Sequence, residues 1–140
     1  TNKILGSMMD GKLIDAEINV HATCTRVDVE IGHTEAVHLS LAKHASIDDI
    51  HEKLNGYRSE AQKLKLPSAA EQPIIVLDDD MPQPKKHGEY PQMVTLVGRL
   101  RENRLWEHGV SYVLTSDNLE KGAGGGAVLS AEYLKVKGLL

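Results

Sequence analysis

The sequence runs to 140 residues, enough for one domain with its own core. Hydrophobic residues make up 41% and charged residues 26%, the balance of an ordinary soluble globular chain. The formal net charge of -4 argues against the clustered basic face of a nucleic-acid binder, and no apolar run approaches the ~18 residues of a membrane span.

The first residues, Thr1-Asn2-Lys3-Ile4-Leu5, carry no signal-peptide pattern. There is no initiator Met, so an upstream segment is expected. The single Cys24 rules out an internal disulfide and suits a reducing, cytoplasmic setting.

Ala16, Ile18, Val20, Ala22 and Cys24 alternate with Glu17, Asn19, His21 and Thr23, which predicts a half-buried strand over 16–24. After Arg26 the apolar phase moves to Val27, Val29 and Ile31, so a bulge, bend or turn is expected between the two runs. Val37, Leu39 and Leu41 continue as a further strand beyond Gly32. Ser46-Ile47-Asp48-Asp49 reads as a helix start, with Ser46 as N-cap and acids in the first turn. Ile47, Ile50 and Leu54 share one helical face, and Gly56 is the C-cap candidate. Ser59 to Leu66 predicts a short helix stopped by Pro67, and Pro73 to Leu77 a short strand.

Asp78 to Pro91 reads as a polar loop with Pro82, Pro84, Gly88 and Pro91. Its aspartates Asp78, Asp79 and Asp80 admit a metal, but acidic turns are ordinarily just solvated. Val94 to Leu100 and Val110 to Thr115 predict two more strands. Val128, Leu129, Ala131, Leu134 and Val136 predict a terminal helix over 127–139, entered through a glycine-rich stretch. No internal repeat is present. Strands, helix, strands and helix in that order predict an α+β domain with a mixed or mostly antiparallel sheet.

Arg26 and His33 are the first chemical candidates, since both sit at breaks in the strand pattern. An arginine can hold a carboxylate through two parallel hydrogen bonds, and a histidine moves protons near neutral pH. The competing reading is a surface arginine on a strand and a histidine in a turn. Cys24, two residues before Arg26, is a nucleophile candidate whose thiolate the guanidinium would favour. Against that, it falls on the apolar face with Val20 and Ala22, where a cysteine is a small hydrophobe. His38, His44 and His51 are scattered, and no HExxH or Cys/His cluster appears, so no metal site is expected. Gly122 to Ala127 spells G-x-G-x-x-A, but no strand and acidic residue follow it to complete a dinucleotide fold. A helix N-terminus there could still touch an anion held by another domain.

Four segments together resemble the aspartate-semialdehyde dehydrogenases. Thr1-Asn2-Lys3-Ile4-Leu5-Gly6 resembles the end of a helix leading into the dimerisation region. Thr23-Cys24-Thr25-Arg26-Val27 with Gly32-His33-Thr34-Glu35-Ala36-Val37 resembles the substrate motif, in which a histidine follows an arginine by seven positions. Val97-Gly98-Arg99-Leu100-Arg101 resembles a third segment, and Asp117-Asn118-Leu119 with Lys121-Gly122-Ala123 the C-terminal return to the coenzyme domain. The Thr-Cys-Thr-Arg-Val form and the proline-rich loop are most similar to the archaeal and fungal branch.

The resemblance implies that residues 1–140 are a C-terminal catalytic and dimerisation domain of the glyceraldehyde-3-phosphate-dehydrogenase-like kind, without the N-terminal NADP-binding domain. It implies NADPH-dependent reduction of β-aspartyl phosphate to aspartate β-semialdehyde, on the route to lysine, methionine and threonine. Arg26 would bind the small-molecule substrate's carboxylate and His33 would be the acid/base. Asn118 and Gly122 would approach the nicotinamide. The family's catalytic cysteine lies upstream, so Cys24 is not that residue. This chain alone is therefore expected to be inactive and not to bind NADP. It is expected to form a homodimer through its sheet, with a tetramer of such pairs as the alternative in the parent enzyme. The terminal helix, without its coenzyme domain, is expected to be partly undocked, with Val128, Leu134 and Val136 unpartnered. Two rivals remain: a standalone dimerisation or binding module, and the corresponding domain of an N-acetyl-glutamyl-phosphate reductase.

Overall fold

The computed structural model describes residues 1–78, 81–83 and 89–140. Asp79, Asp80, Pro84 and Gly88, named above with the acidic turn and proline loop, lie outside the described residues.

The chain opens with a hairpin, β1 (Ser7–Met9) against β2 (Lys12–Ile14). Asp10 and Gly11 turn it, with φ of 49° and 74°. Two successive positive φ values match the right-handed twist of paired strands, and Asp-Gly supplies them cheaply. This hairpin was not among the predicted strands.

Residues 15–31 contradict the sequence reading. The strand expected at 16–24 and its continuation through Val27, Val29 and Ile31 do not form. A strand needs a neighbour for its backbone N–H and C=O groups. Among the described residues none runs alongside this stretch, so Ile18, Val20, Val27, Val29 and Ile31 stay exposed.

The main sheet has the order β3-β6-β5-β4. β3 (His33–Ser40) runs antiparallel to β6 (Gly109–Ser116), which is antiparallel to β5 (Thr95–Glu102). β4 (Ile74–Val76) lies parallel to β5. The mixed sheet with flanking helices is the α+β class expected. A bulge interrupts the β5–β6 register between Gly98 and Arg101, and Arg99 takes a φ of 53° there. The extra residue is absorbed inside the Val97-Gly98-Arg99-Leu100-Arg101 segment.

Helix α1 (Ile47–Asn55) starts where predicted. Ser46 accepts from the Asp49 amide at 3.1 Å and the Asp49 carboxylate accepts from the Ser46 amide at 3.2 Å, a reciprocal cap. The Ser46 hydroxyl, which donates to Asp49 Oδ2 at 2.6 Å, and then the Ser46 amide hold the Asp49 carboxyl below its ordinary range. At the far end, Asn55 Oδ1 accepts from the Val76 amide at 2.8 Å, which satisfies the open side of β4. Helix α2 (Glu60–Lys63) repeats the capping device with Ser59 and Gln62 and is shorter than predicted.

A π-helical segment, Glu120–Gly124, leads into α3 (Gly125–Val136). The terminal helix is docked rather than loose. Glu132 accepts from the Ser68 amide at 3.0 Å and from the Ser68 hydroxyl at 2.8 Å. Glu60 accepts from the Tyr133 hydroxyl at 2.7 Å and pairs with Lys137. Polar anchors were not legible in a pattern read for apolar residues. Val128, Leu134 and Val136 do remain exposed, as expected. Among the described residues the buried apolar side chains are Leu66, Val76, Pro82, Val94, Leu96, Val97 and Val110, and most of them centre on β4, β5 and β6.

Candidate functional site

The register brings four strand ends to one edge of the sheet. His33 opens β3 opposite Ser116, the last residue of β6, and Ser116 is also opposite Thr95, the first residue of β5. Ile74 of β4 pairs with Thr95 in turn. The chain leaving β6 then passes Asp117 and Asn118 and enters the π-helical segment, so Lys121 and Gly122 return to the same edge.

Side-chain hydroxyls bind this edge together. The Thr34 hydroxyl donates to Thr115 Oγ1 at 3.4 Å, and Thr115 donates to the His33 carbonyl at 3.0 Å. Thr115 is fully buried, and a buried hydroxyl is costly unless it is bonded in this way. A second chain runs through Lys121 Nζ to Thr95 Oγ1 at 2.5 Å, Thr95 to Ser116 Oγ at 3.3 Å, and Ser116 to the Val94 carbonyl at 3.5 Å. Burial pulls the Lys121 ammonium below its ordinary range. Lys121 and Thr95 also stand on the wall of an open, mainly apolar cavity of about 420 Å³ between the sheet and the helices. Burial, and then the Glu35 carboxylate, raise the Tyr112 phenol beside it.

The sequence-predicted residues fall differently around this edge. His33 is exposed at its rim. Arg26 is exposed in the unpaired stretch before it, and among the described residues no hydrogen bond or ion pair joins the two. Asn118 lies at the edge, but its Oδ1 accepts from the Gly32 amide at 2.6 Å. Cys24 is a free, exposed thiol; the reading of it as a buried small hydrophobe fails because its strand does not form.

Gly122 gives its amide to the Asp117 carbonyl at 3.1 Å, and Gly124 gives its own to Leu119 at 2.8 Å. The amides that an anion would need are spent inside the π-helical segment, so G-x-G-x-x-A forms no phosphate cradle here. The described residues of this chain thus do not themselves fit a dinucleotide pyrophosphate. Among the described residues no group of three or more His, Cys, Asp or Glu is placed to hold a metal.

Thr95, Thr115, Ser116 and Lys121 were not singled out in the sequence. Thr115 and Ser116 are signalled only by the polar run Thr115-Ser116-Asp117-Asn118 closing an apolar strand, and Lys121 only by its place in the Lys121-Gly122-Ala123 segment.

Comparison with known proteins gives this edge a context. Residues 1–121 match the family described as semialdehyde dehydrogenase, dimerisation domain. The aspartate-semialdehyde dehydrogenase of Methanothermobacter thermautotrophicus is 39% identical over 136 residues, which cover 96% of this chain and 39% of that protein. The malonyl CoA reductase (NADP) of Metallosphaera sedula is 34% identical over 128 residues, covering 89% of this chain and 35% of that protein. The crystal structure of aspartate semialdehyde dehydrogenase with NADP from Candida albicans superposes with a TM-score of 0.89 at 35% identity, over 99% of this chain and 41% of that one. The chain thus spans about two fifths of the length of these relatives.

Proposed function

This chain belongs to the semialdehyde dehydrogenase dimerisation-domain family, and we propose that it is the substrate-binding and dimerisation part of a longer, NADP-dependent aspartate-semialdehyde dehydrogenase. The observation that supports this best is similarity along nearly the whole chain, 39% over 136 residues, to an enzyme of that name. The reaction is the reversible reduction of β-aspartyl phosphate to aspartate β-semialdehyde with release of phosphate. NADP and the nucleophilic thiol belong to the remainder of the protein, since the Gly122, Gly124 and Gly125 amides are already taken up by carbonyls of this chain and Cys24 has no cationic partner among the described residues. Alone, residues 1–140 are inactive.

Within this part, Arg26 holds the substrate carboxylate and His33 is the acid/base. Both are exposed, as groups must be that meet a substrate carried against this face by another domain. A second copy covers the apolar run from Ile18 to Ile31 and gives it the strand neighbour it lacks. Among the described residues no helix is long and apolar enough to cross a membrane. A free thiol fits the cytoplasm.

Steady-state kinetics of the full-length protein test the two roles separately. Arg26→Leu is expected to raise KM for aspartate semialdehyde, and His33→Gln to lower kcat by a factor of ~10²–10⁴ with KM little changed. Wild-type kcat in His33→Gln would remove His33 from the chemistry.

A further inference from the structure

The resemblance places Asn118 beside the nicotinamide, yet in the fold its side-chain oxygen already has a partner. The Gly32 amide, 86 residues away in sequence, donates to Asn118 Oδ1 at 2.6 Å. On the other side of the histidine, the fully buried Thr115 donates its hydroxyl to the His33 carbonyl at 3.0 Å. The backbone is thus held one residue before His33 and at the His33 carbonyl, by Asn118 just beyond β6 and by Thr115 within it.

Upstream of the β3–β6 ladder, this clamp holds a stretch that has no strand partner among the described residues. Residues 15–31 approach β3 without a strand neighbour among the described residues, so nothing upstream fixes where the chain enters the sheet. The His33 ring is exposed, so packing does not orient it. Its aim depends on its backbone, which is set at this point by the β3–β6 ladder, with His33 opposite Ser116, together with Asn118 and Thr115.

We infer that Asn118 is a positioning residue for His33, acting through the Gly32 amide, which donates to its side-chain oxygen. The inference rests on the acid/base reading of His33. A group that must meet a substrate carbonyl within hydrogen-bond reach loses ~10²-fold in rate for a displacement of about 1 Å. Asn118→Ala frees the Gly32 amide and lets the entry to β3 drift. Asn118→Asp keeps an acceptor oxygen at the same distance along the side chain, whereas Asn118→Gln moves it by one methylene.

The test uses the full-length protein with aspartate semialdehyde, phosphate and NADP⁺. Asn118→Ala is expected to lower kcat at least ~10-fold, with the Kd for NADPH changed less than about twofold, and Asn118→Asp to recover most of that loss. Hydrogen exchange of the Gly32 amide is expected to accelerate in Asn118→Ala and to stay slow in Asn118→Asp. Weakened NADPH binding with a slow Gly32 amide in Asn118→Ala would overturn the inference in favour of a direct cofactor contact. Should Asn118→Ala fail to fold, Asn118→Asp and Asn118→Gln decide instead: kcat retained in the first and lowered in the second supports the clamp, and equal kcat in the two refutes it. Absence of turnover in the wild type refutes the enzymatic reading itself. Normal wild-type turnover with an unimpaired Asn118→Ala refutes the inference alone.

Discussion

Gly126 offers the sharpest mutational test of why the glycine run exists. A Cβ built there would meet the Lys121 carbonyl oxygen at 2.4 Å, where ordinary contact begins at 3.4 Å. That oxygen belongs to the π-helical segment entering α3, so relief requires the helix start to shift by about 1 Å rather than a side chain to rotate. Overpacking of this kind costs about 1–3 kcal/mol. The gain in helix propensity from glycine to alanine offsets about 1 kcal/mol of it. Gly126→Ala is therefore expected to be destabilising by about 1 kcal/mol net. Gly122 is the internal control, because a Cβ there finds nothing nearer than the Asp117 carbonyl oxygen at 3.6 Å. Gly122→Ala should be neutral or stabilising by up to about 1 kcal/mol through its effect on the unfolded chain. Urea unfolding of the two variants beside the wild type reads both values. A Gly126→Ala protein as stable as Gly122→Ala would refute the close approach, and with it the structural account of the run.

The core and the acid limb of stability give further expectations. Leu96, fully buried on β5, should cost about 3 kcal/mol when cut to alanine, and a loss under about 1 kcal/mol by urea unfolding would mean that β5 is not the centre of the core. The Glu60 carboxyl is held below its ordinary value of 4.5 by the Lys137 ammonium and then by the Tyr133 hydroxyl. Its folded value is the lower one, so the stability it contributes is fully present above pH 4.5 and is lost as pH falls through the folded value. The stability difference between wild type and Glu60→Gln should accordingly shrink on acidification below pH 4.5, and a difference independent of pH would remove Glu60 from the docking of α3.

Local signals carried much of the fold. Ser46 with Asp49, and Ser59 with Gln62, announce helix starts because the groups that satisfy a helix's first amides lie within four residues of one another. The segments Val94 to Leu100 and Val110 to Thr115 announce strands because each is a short apolar run covered on both faces by its own chain, with Leu96 and Val97, and Val110 and Ser111, buried in succession. The alternation from Ala16 to Cys24 misled because period two states that a face is to be covered without stating what covers it. The Asp10-Gly11 turn carried its signal in full, but the three-residue strands beside it, Ser7–Met9 and Lys12–Ile14, are too short to alternate. The glycine run spelled a nucleotide motif and folded as a π-helical segment running into α3, since spelling does not say where the amides point. At the site, Arg26 and His33 stood out at breaks in the strand pattern, and the family resemblance supplied their roles. Asn118 came from it too, although the bond it makes did not. The hydroxyl chain through Thr95, Thr115 and Ser116 depends on the β3–β6–β5 register, which a single sequence does not specify.

The central claim is that this chain serves an aspartate-semialdehyde dehydrogenase rather than another member of a group whose relatives also include a malonyl CoA reductase. The direct measurement is the substrate preference of the full-length protein. NADPH formation from aspartate semialdehyde and phosphate is set against N-acetylglutamate semialdehyde with phosphate, and NADPH oxidation is followed with malonyl CoA. The account predicts phosphate-dependent turnover of aspartate semialdehyde, with kcat/KM at least ~10²-fold above the other two, since a site built around one carboxylate rejects a misplaced one strongly. A preference for malonyl CoA or for the acetylglutamyl substrate would contradict it.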